Sequence, residues 1–180
     1  MHDTFPLLVK TAFPAIKRRR LETLQANLGY RCNQSCFHCH VAASPKRTEE
    51  MSWETMTVLL EFARRQAVQT FDLTGGAPEM NPNFRRLVSA ARALGLRVID
   101  RCNLSILSEP GYETMAAFLA EQNVEIVASL PCYLEENVNA QRGDGAFAAS
   151  IAGLRKLNAL GYGQAGSGRI LNLVYNPLGP

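Results

Sequence analysis

No stretch of this chain stays apolar for anything near the roughly 18 residues that a membrane-crossing helix needs. Nor does it open like a secretory leader, because the basic cluster Lys17–Arg20 follows the apolar N-terminal residues instead of preceding them. A membrane association is not expected, a reducing cytoplasm is the expected setting, and the basic cluster reads as a solvated face. Net charge is also scarce: 19 basic against 16 acidic residues leave +3, too little to call for a nucleic-acid partner. Cysteine is sparse, at five in 180 residues, and a chain this long buries a core without a disulfide framework. Those thiols therefore point to chemistry. What the chain does have, 47% hydrophobic and 19% charged residues, is the profile of one soluble globular domain.

Residues 1–22 mix Pro6, Pro14, apolar and basic residues without a sustained period and read as an arm packing on the edge of a domain over 23–180. After the arm, strand and helix patterns alternate. Leu24–Tyr30 reads as a strand that runs into the long polar connection RCNQSCFHCHVAASPKR. Ser52 then caps a helix with Met56, Leu59, Leu60, Ala63 and Ala67 on one face. Thr70–Thr74 is the second strand, and Asn81 and Pro82 read as the cap and first residue of the next helix. Arg97–Asp100, Val124–Ser129 and Arg169–Tyr175 complete five strands, with helices over Tyr112–Glu121 and Phe147–Leu160 between them. Such alternation, with no hairpin signal, predicts an α/β fold with a parallel sheet. About five βα units fit a partial (β/α) TIM-like barrel, since a full one needs roughly 250 residues.

Ligands in such folds gather at the carboxyl ends of the strands. There the chain places the cysteine loop, then Gly75-Gly76-Ala77-Pro78-Glu79, then Cys102-Asn103, then Pro131-Cys132-Tyr133. Asp72 alternates with Thr70 and Thr74 onto the barrel interior, as a structural acceptor or a substrate contact. Cys32, Cys36 and Cys39 form C-x3-C-x2-C, three thiols that can hold three corners of a [4Fe-4S] cluster and leave the fourth iron open. A zinc site closed by His38 or His40 is the competing reading, although structural zinc sites usually draw on a second, distant cysteine pair that this chain lacks. Glycines at 75 and 76 let backbone approach a small charged ligand, and Gly-Gly-x-Pro by itself is an ordinary turn.

CNQSCFHC resembles the cluster motif of radical S-adenosylmethionine enzymes, and TGGAPE, Thr74 to Glu79, resembles their glycine-rich motif. The resemblance implies a partial barrel in which Cys32, Cys36 and Cys39 ligate a [4Fe-4S] cluster. S-adenosylmethionine then chelates the open iron, and reduction of its sulfonium yields a 5′-deoxyadenosyl radical. It further implies that Thr74, Gly75, Gly76 and Ala77 line the methionine part, that His38 lies near the adenine, and that Asn103 and Ser129 meet the ribose and carboxylate. Asn172 is a further candidate from the fifth strand. An electron donor such as a flavodoxin or ferredoxin is the implied protein partner. The motif departs from the common form at Ala77, where an acid is usual, with Glu79 two positions later.

Over most of its length, through TLQANLGYRCNQSCFHCHVAASPKRTEEM, FDLTGGAPEMNPNFRRLV, RCNLSIL, ASLPCY and ILNLVYNPLGP, the chain is similar to the arsenosugar-biosynthesis radical S-adenosylmethionine proteins. That likeness implies transfer of the 5′-deoxyadenosyl group to a dimethylated trivalent arsenic species. Members of that family continue into a cysteine-containing C-terminal region, whereas this sequence stops at Pro180. The expectation is a truncated core, or one whose sheet a second polypeptide completes. Cys102 and Cys132 read as buried core thiols. The sharper reading makes Cys132, at an active strand end, the catalytic contact to the thiophilic arsenic, with Tyr133 as a pocket wall.

Overall fold

A computed structural model describes residues 3–14, 17 and 19–176. The remaining parts of the expected arm (1–2, 15–16 and 18) and of the expected core (177–180) lie outside the described residues. Five strands, β1 (Thr23–Asn27), β2 (Thr70–Thr74), β3 (Arg97–Asp100), β4 (Glu125–Ser129) and β5 (Leu171–Val174), form one parallel sheet in sequence order. Sequential order with crossovers of one hand puts every connecting helix on the same side, which is the winding of a barrel and not of a doubly wound sheet. The helices are α1 (Phe5–Leu8), α2 (Trp53–Arg65), α3 (Phe84–Ala93), α4 (Met115–Glu121), α5 (Glu135–Arg142) and α6 (Ala146–Ala159). None of the described helices is long and apolar enough to cross a membrane.

The two faces of the sheet divide the labour. Phe71 and Leu73 of β2, Val98 of β3, and Ile126 and Ala128 of β4 are buried toward the helices, where Met56, Leu87, Val88, Leu119 and Leu157 join them in one core. Each such large side chain contributes about 1.5–3 kcal/mol by leaving water. The opposite face carries polar residues. Asp72 is buried there, accepts from Gln25 Nε2 at 2.9 Å, and pairs bidentately with Arg101 through Nε at 2.9 Å and an Nη at 2.8 Å. Of the two roles open to Asp72, the geometry gives the structural one.

Several boundaries differ from the sequence pattern for local reasons. Ser52 does cap α2, its side chain accepting from the Thr55 amide. Asn81 does not cap α3. Its side-chain amide instead donates to the carbonyls of Leu28 and Met51, tying both ends of the cysteine loop, and the helix starts after Asn83. The β1 strand ends at Asn27, and α4 starts only at Met115. Helix α5 had no apolar stripe to announce it, since Val138 is its one large apolar residue. The described arm residues are exposed, Phe5 at 69% and Leu7 at 72%, so they do not bury their apolar side chains against the sheet.

Candidate functional site

The loop after β1 folds back on itself before it presents its cysteines. The Tyr30 amide donates to the Glu49 carbonyl, the Met51 amide to Leu28, the Ser44 amide to Tyr30, and the Cys32 amide to Ser44. Arg47 clamps the turn from outside, donating to the carbonyls of Val41 and Ala42 while Glu49 holds its guanidinium at 2.8 Å. Inside, backbone amides meet two sulfurs: Gln34 donates to Cys32 Sγ at 3.4 Å and Ala43 to Cys39 Sγ at 3.3 Å. Amide donors of this kind stabilise thiolates.

The glycine turn after β2 locks onto this loop. The Gly76 amide donates to the Gly29 carbonyl and the Ala77 amide to the Arg31 carbonyl, both at 2.9 Å. Gly75 has φ +143°, and a Cβ there would stand 2.6 Å from the Gly29 oxygen; at Gly76 it would overlap the Arg31 carbonyl. Both glycines are thus required by the close approach of two backbones, a role that the sequence pattern alone does not separate from ligand contact.

A cavity of ≈ 630 Å³ opens at the carboxyl ends of the strands. The three cysteines of the loop, with His38 and His40, line it on one side. Thr74, Gly75, Gly76, Asn103 and Ser129 line it from the strand ends. Asn172, whose side-chain amide donates to Glu125 Oε1 at 3.0 Å, is not at the cavity wall, and neither are Ala77 and Cys132. Ala77 is 3% exposed behind the glycines, and Cys132 is 2% exposed one residue beyond Pro131, which does line the cavity. Asn103 reaches the cavity but already has partners: its Nδ2 donates to Asn33 Oδ1 at 2.7 Å and to Cys32 Sγ at 3.5 Å, and its Oδ1 accepts from the Ile106 amide. It braces the cysteine loop. Tyr133 is 72% exposed and stacks on Tyr175 away from the cavity, which corrects its expected place as a pocket wall.

Sequence reasoning missed Arg142. It ends α5, is 8% exposed, lines the cavity, and donates to the carbonyls of Ser129 at 2.5 Å and Asn103 at 3.4 Å, while its Nε has no partner. Among the described residues no carboxylate pairs with it. A guanidinium this buried is costly without a negative partner, which the Cys36 thiolate beside it, or an anion in the cavity, would supply. Burial pushes the Cys36 thiol up, and Arg142 opposes that rise. Burial also raises the Cys32 thiol, opposed by its amide donors. His38 is pushed below its usual value by burial and then by Arg142, which favours the neutral imidazole.

The donor set fits a cluster better than a single ion. A tetrahedral zinc at about 2.3 Å from each sulfur would draw its ligands to roughly 3.8 Å apart. Among the described residues the one group of three such ligand atoms lying within 4.8 Å of one another is elsewhere in the fold, at Glu79, Asp100 and Cys102. A cubane instead takes one thiolate at each of three separate iron corners. Three thiols, a buried cation with no carboxylate partner and a walled cavity beside them suit a cluster with a small zwitterionic ligand.

Comparison with known proteins agrees with this geometry. The model of the radical SAM superfamily matches residues 26–175. Mycofactocin maturase MftC of Mycobacterium ulcerans is 30% identical over 138 residues, which are 77% of this chain and 37% of the maturase. The probable GTP 3′,8-cyclase of Sulfolobus acidocaldarius is 25% identical over 144 residues, 77% of this chain and 46% of the cyclase. The chain therefore spans less than half the length of these curated relatives. In fold it resembles SuiB of Streptococcus suis, solved bound to S-adenosylmethionine, with a TM-score of 0.68 at 15% identity over 86% of this chain and 34% of SuiB. The cofactors are those of the family, a [4Fe-4S] cluster and S-adenosylmethionine. With the cysteine loop, the glycine turn and strands β2–β5 of the parallel sheet all inside the matched region, this chain belongs to the radical SAM superfamily.

Proposed function

We propose that this chain is the cofactor-binding core of an enzyme that transfers the 5′-deoxyadenosyl group of S-adenosylmethionine to a dimethylated trivalent arsenic species. In this reading Cys32, Cys36 and Cys39 hold the cluster, and Arg142 takes the carboxylate of the methionine part. Backbone oxygens around Gly75 and Gly76, beside Thr74, face its ammonium group, while Ala77 supports that turn from behind. Neutral His38 and the Ser129 strand end bound the nucleoside, and Asn103 positions Cys32. Bound together, the cluster and S-adenosylmethionine supply one-electron cleavage of the sulfonium, for which an external donor such as a flavodoxin or ferredoxin is needed.

The observation that carries the arsenic reading is the state of Cys132. The Leu134 amide and Asn137 Nδ2 each point at its sulfur at 3.5 Å, and these two donors, with the Tyr175 hydroxyl, hold the thiol below its usual pKa. A thiol primed toward thiolate suits a thiophilic substrate, which in this reading reaches past the cavity wall at Pro131 to meet the buried Cys132. The overall balance is closed: dimethylarsinite and S-adenosylmethionine give 5′-deoxyadenosyl-dimethylarsine oxide and methionine. Arsenic would supply one electron to the new carbon–arsenic bond and return a second to the cluster, going from trivalent to pentavalent as the sulfonium carbon–sulfur bond breaks, so the electron from the donor would be recovered and none consumed overall.

A second reading, hydrogen abstraction from a peptide or small metabolite, draws on the relatives, which include a maturase and, by fold, SuiB solved with its precursor peptide SuiA. Product analysis separates the two. Anaerobically reconstituted protein given a reductant, S-adenosylmethionine and dimethylarsinite is expected to form an arsenical carrying the adenosyl group. Free 5′-deoxyadenosine with unaltered arsenical refutes the arsenic reading. Cys132→Ser is expected to abolish that product and preserve cofactor cleavage; unchanged turnover removes Cys132 from the mechanism.

A further inference from the structure

Asp100 stands on the wrong face of the sheet for a carboxylate. Register pairs it with Leu73 and Ile126, so it points with Val98 into the layer between strands and helices, and it is 0% exposed. Cys102, two residues on and also 0% exposed, follows the same direction, and the short helical turn Pro78–Met80 brings in Glu79 at 3% exposed. One ligand atom from each lies within 4.8 Å of the other two. A second observation points to a ligand: all four carboxylate oxygens, Oε1 and Oε2 of Glu79 and Oδ1 and Oδ2 of Asp100, are buried with no side-chain hydrogen-bond donor from outside the trio. Neither Glu79, Asp100 nor Cys102 lines the cofactor cavity.

We propose that Glu79, Asp100 and Cys102 form a buried site for a divalent cation of the zinc class, separate from the cysteine loop. The donor set decides the class. Magnesium and calcium require oxygen ligands and several waters, and soft monovalent copper prefers sulfur alone, whereas zinc takes one thiolate with carboxylates readily. Four free oxygens and a sulfur are enough to close four coordination positions without solvent. The Leu104 amide, donating to Cys102 Sγ at 3.3 Å, favours the thiolate. Without a cation these groups must stay protonated, and burial does raise the pKa of Glu79, Asp100 and Cys102. Binding M²⁺ displaces two or three protons to solvent, which leaves the buried charge near balance.

The test uses the chain with Cys32→Ala, Cys36→Ala and Cys39→Ala, so that the cluster loop contributes no metal, refolded with Zn²⁺ and then gel-filtered with chelator. The expected result is about one zinc per chain, with one sulfur neighbour at about 2.3 Å and oxygens at about 2.0–2.2 Å by X-ray absorption. Cys102→Ser in that background is expected to remove the sulfur shell, and Asp100→Asn to lower zinc at least tenfold. To separate zinc loss from misfolding of the loop variant, the chain with its cysteine loop intact is measured alongside, where Asp100→Asn should remove zinc while iron loading persists. Zinc-free protein in both backgrounds, or zinc that keeps its sulfur shell in Cys102→Ser, overturns the site and leaves the three groups as neutral acids sharing protons. Neither result depends on the arsenic reading.

Discussion

One added methyl group at Gly75 is expected to damage both the stability of the fold and its capacity to hold iron. The residue has φ +143°, a conformation that costs a side-chain-bearing residue about 1–3 kcal/mol. The new Cβ would stand 2.6 Å from the Gly29 oxygen and 3.1 Å from Asn27 Oδ1. Carbon–oxygen contacts run at about 3.3–3.6 Å, so the glycine turn and the cysteine loop must part by about 0.7–1.0 Å. Overpacking of this kind costs about 1–3 kcal/mol more. The sum, about 2–6 kcal/mol, is a large share of a typical domain's stability. With a urea slope of about 2 kcal/mol per molar, the unfolding midpoint of Gly75→Ala falls by about 1–3 M. Iron bound after anaerobic reconstitution falls with it, because the displaced backbone carries Cys32. Gly166→Ala is the control: it shares the positive φ, +79°, but meets nothing within 4 Å, so it should lose only the conformational part and load iron normally. If Gly75→Ala unfolds at the wild-type midpoint and binds wild-type iron, the two loops do not build the site together.

Arg142→Gln removes the buried cation from the cavity. Breaking a buried charge pair costs about 2–5 kcal/mol, so S-adenosylmethionine binding to the cluster-loaded protein should weaken about 30-fold or more by equilibrium dialysis; unchanged affinity excludes Arg142 as its carboxylate partner. Glu49 gives a pH signature. Its Arg47 hydrogen bonds hold the carboxyl at about 2, against an unperturbed 4.5, so the contribution of the clamp is fully present above 4.5 and is lost as pH falls through about 2. A carboxyl-carbon resonance of Glu49 titrating near 4.5 would show that the Arg47 clamp on the cysteine loop does not form in solution.

Much of this fold was legible because its signals are local. The bounds of β2 follow from TFDLT between polar flanks, and the start of α2 from a serine followed by an apolar stripe. The cysteine spacing needs no tertiary information. What stayed hidden depends on contacts between distant segments. Helix α5, EENVNAQR, has no periodic apolar face, so nothing in the pattern singles out Arg142, yet the chain folds it under Ser129 and beside Cys36. Asn81 looked like a helix cap because its residue type suits one, but two loop carbonyls 53 and 30 positions upstream claim its side chain. Cys102 read as a small core hydrophobe. Only the register of β3 puts it beside two carboxyl groups on the helix side of the sheet.

The central claim is a cluster on Cys32, Cys36 and Cys39 whose remaining iron meets S-adenosylmethionine. Electron paramagnetic resonance of the anaerobically reconstituted, dithionite-reduced protein tests it most directly. The account predicts about four irons per chain and a reduced-cluster signal whose g values shift when S-adenosylmethionine is added. A protein that takes up no iron, or a signal that the cofactor leaves unchanged, contradicts it.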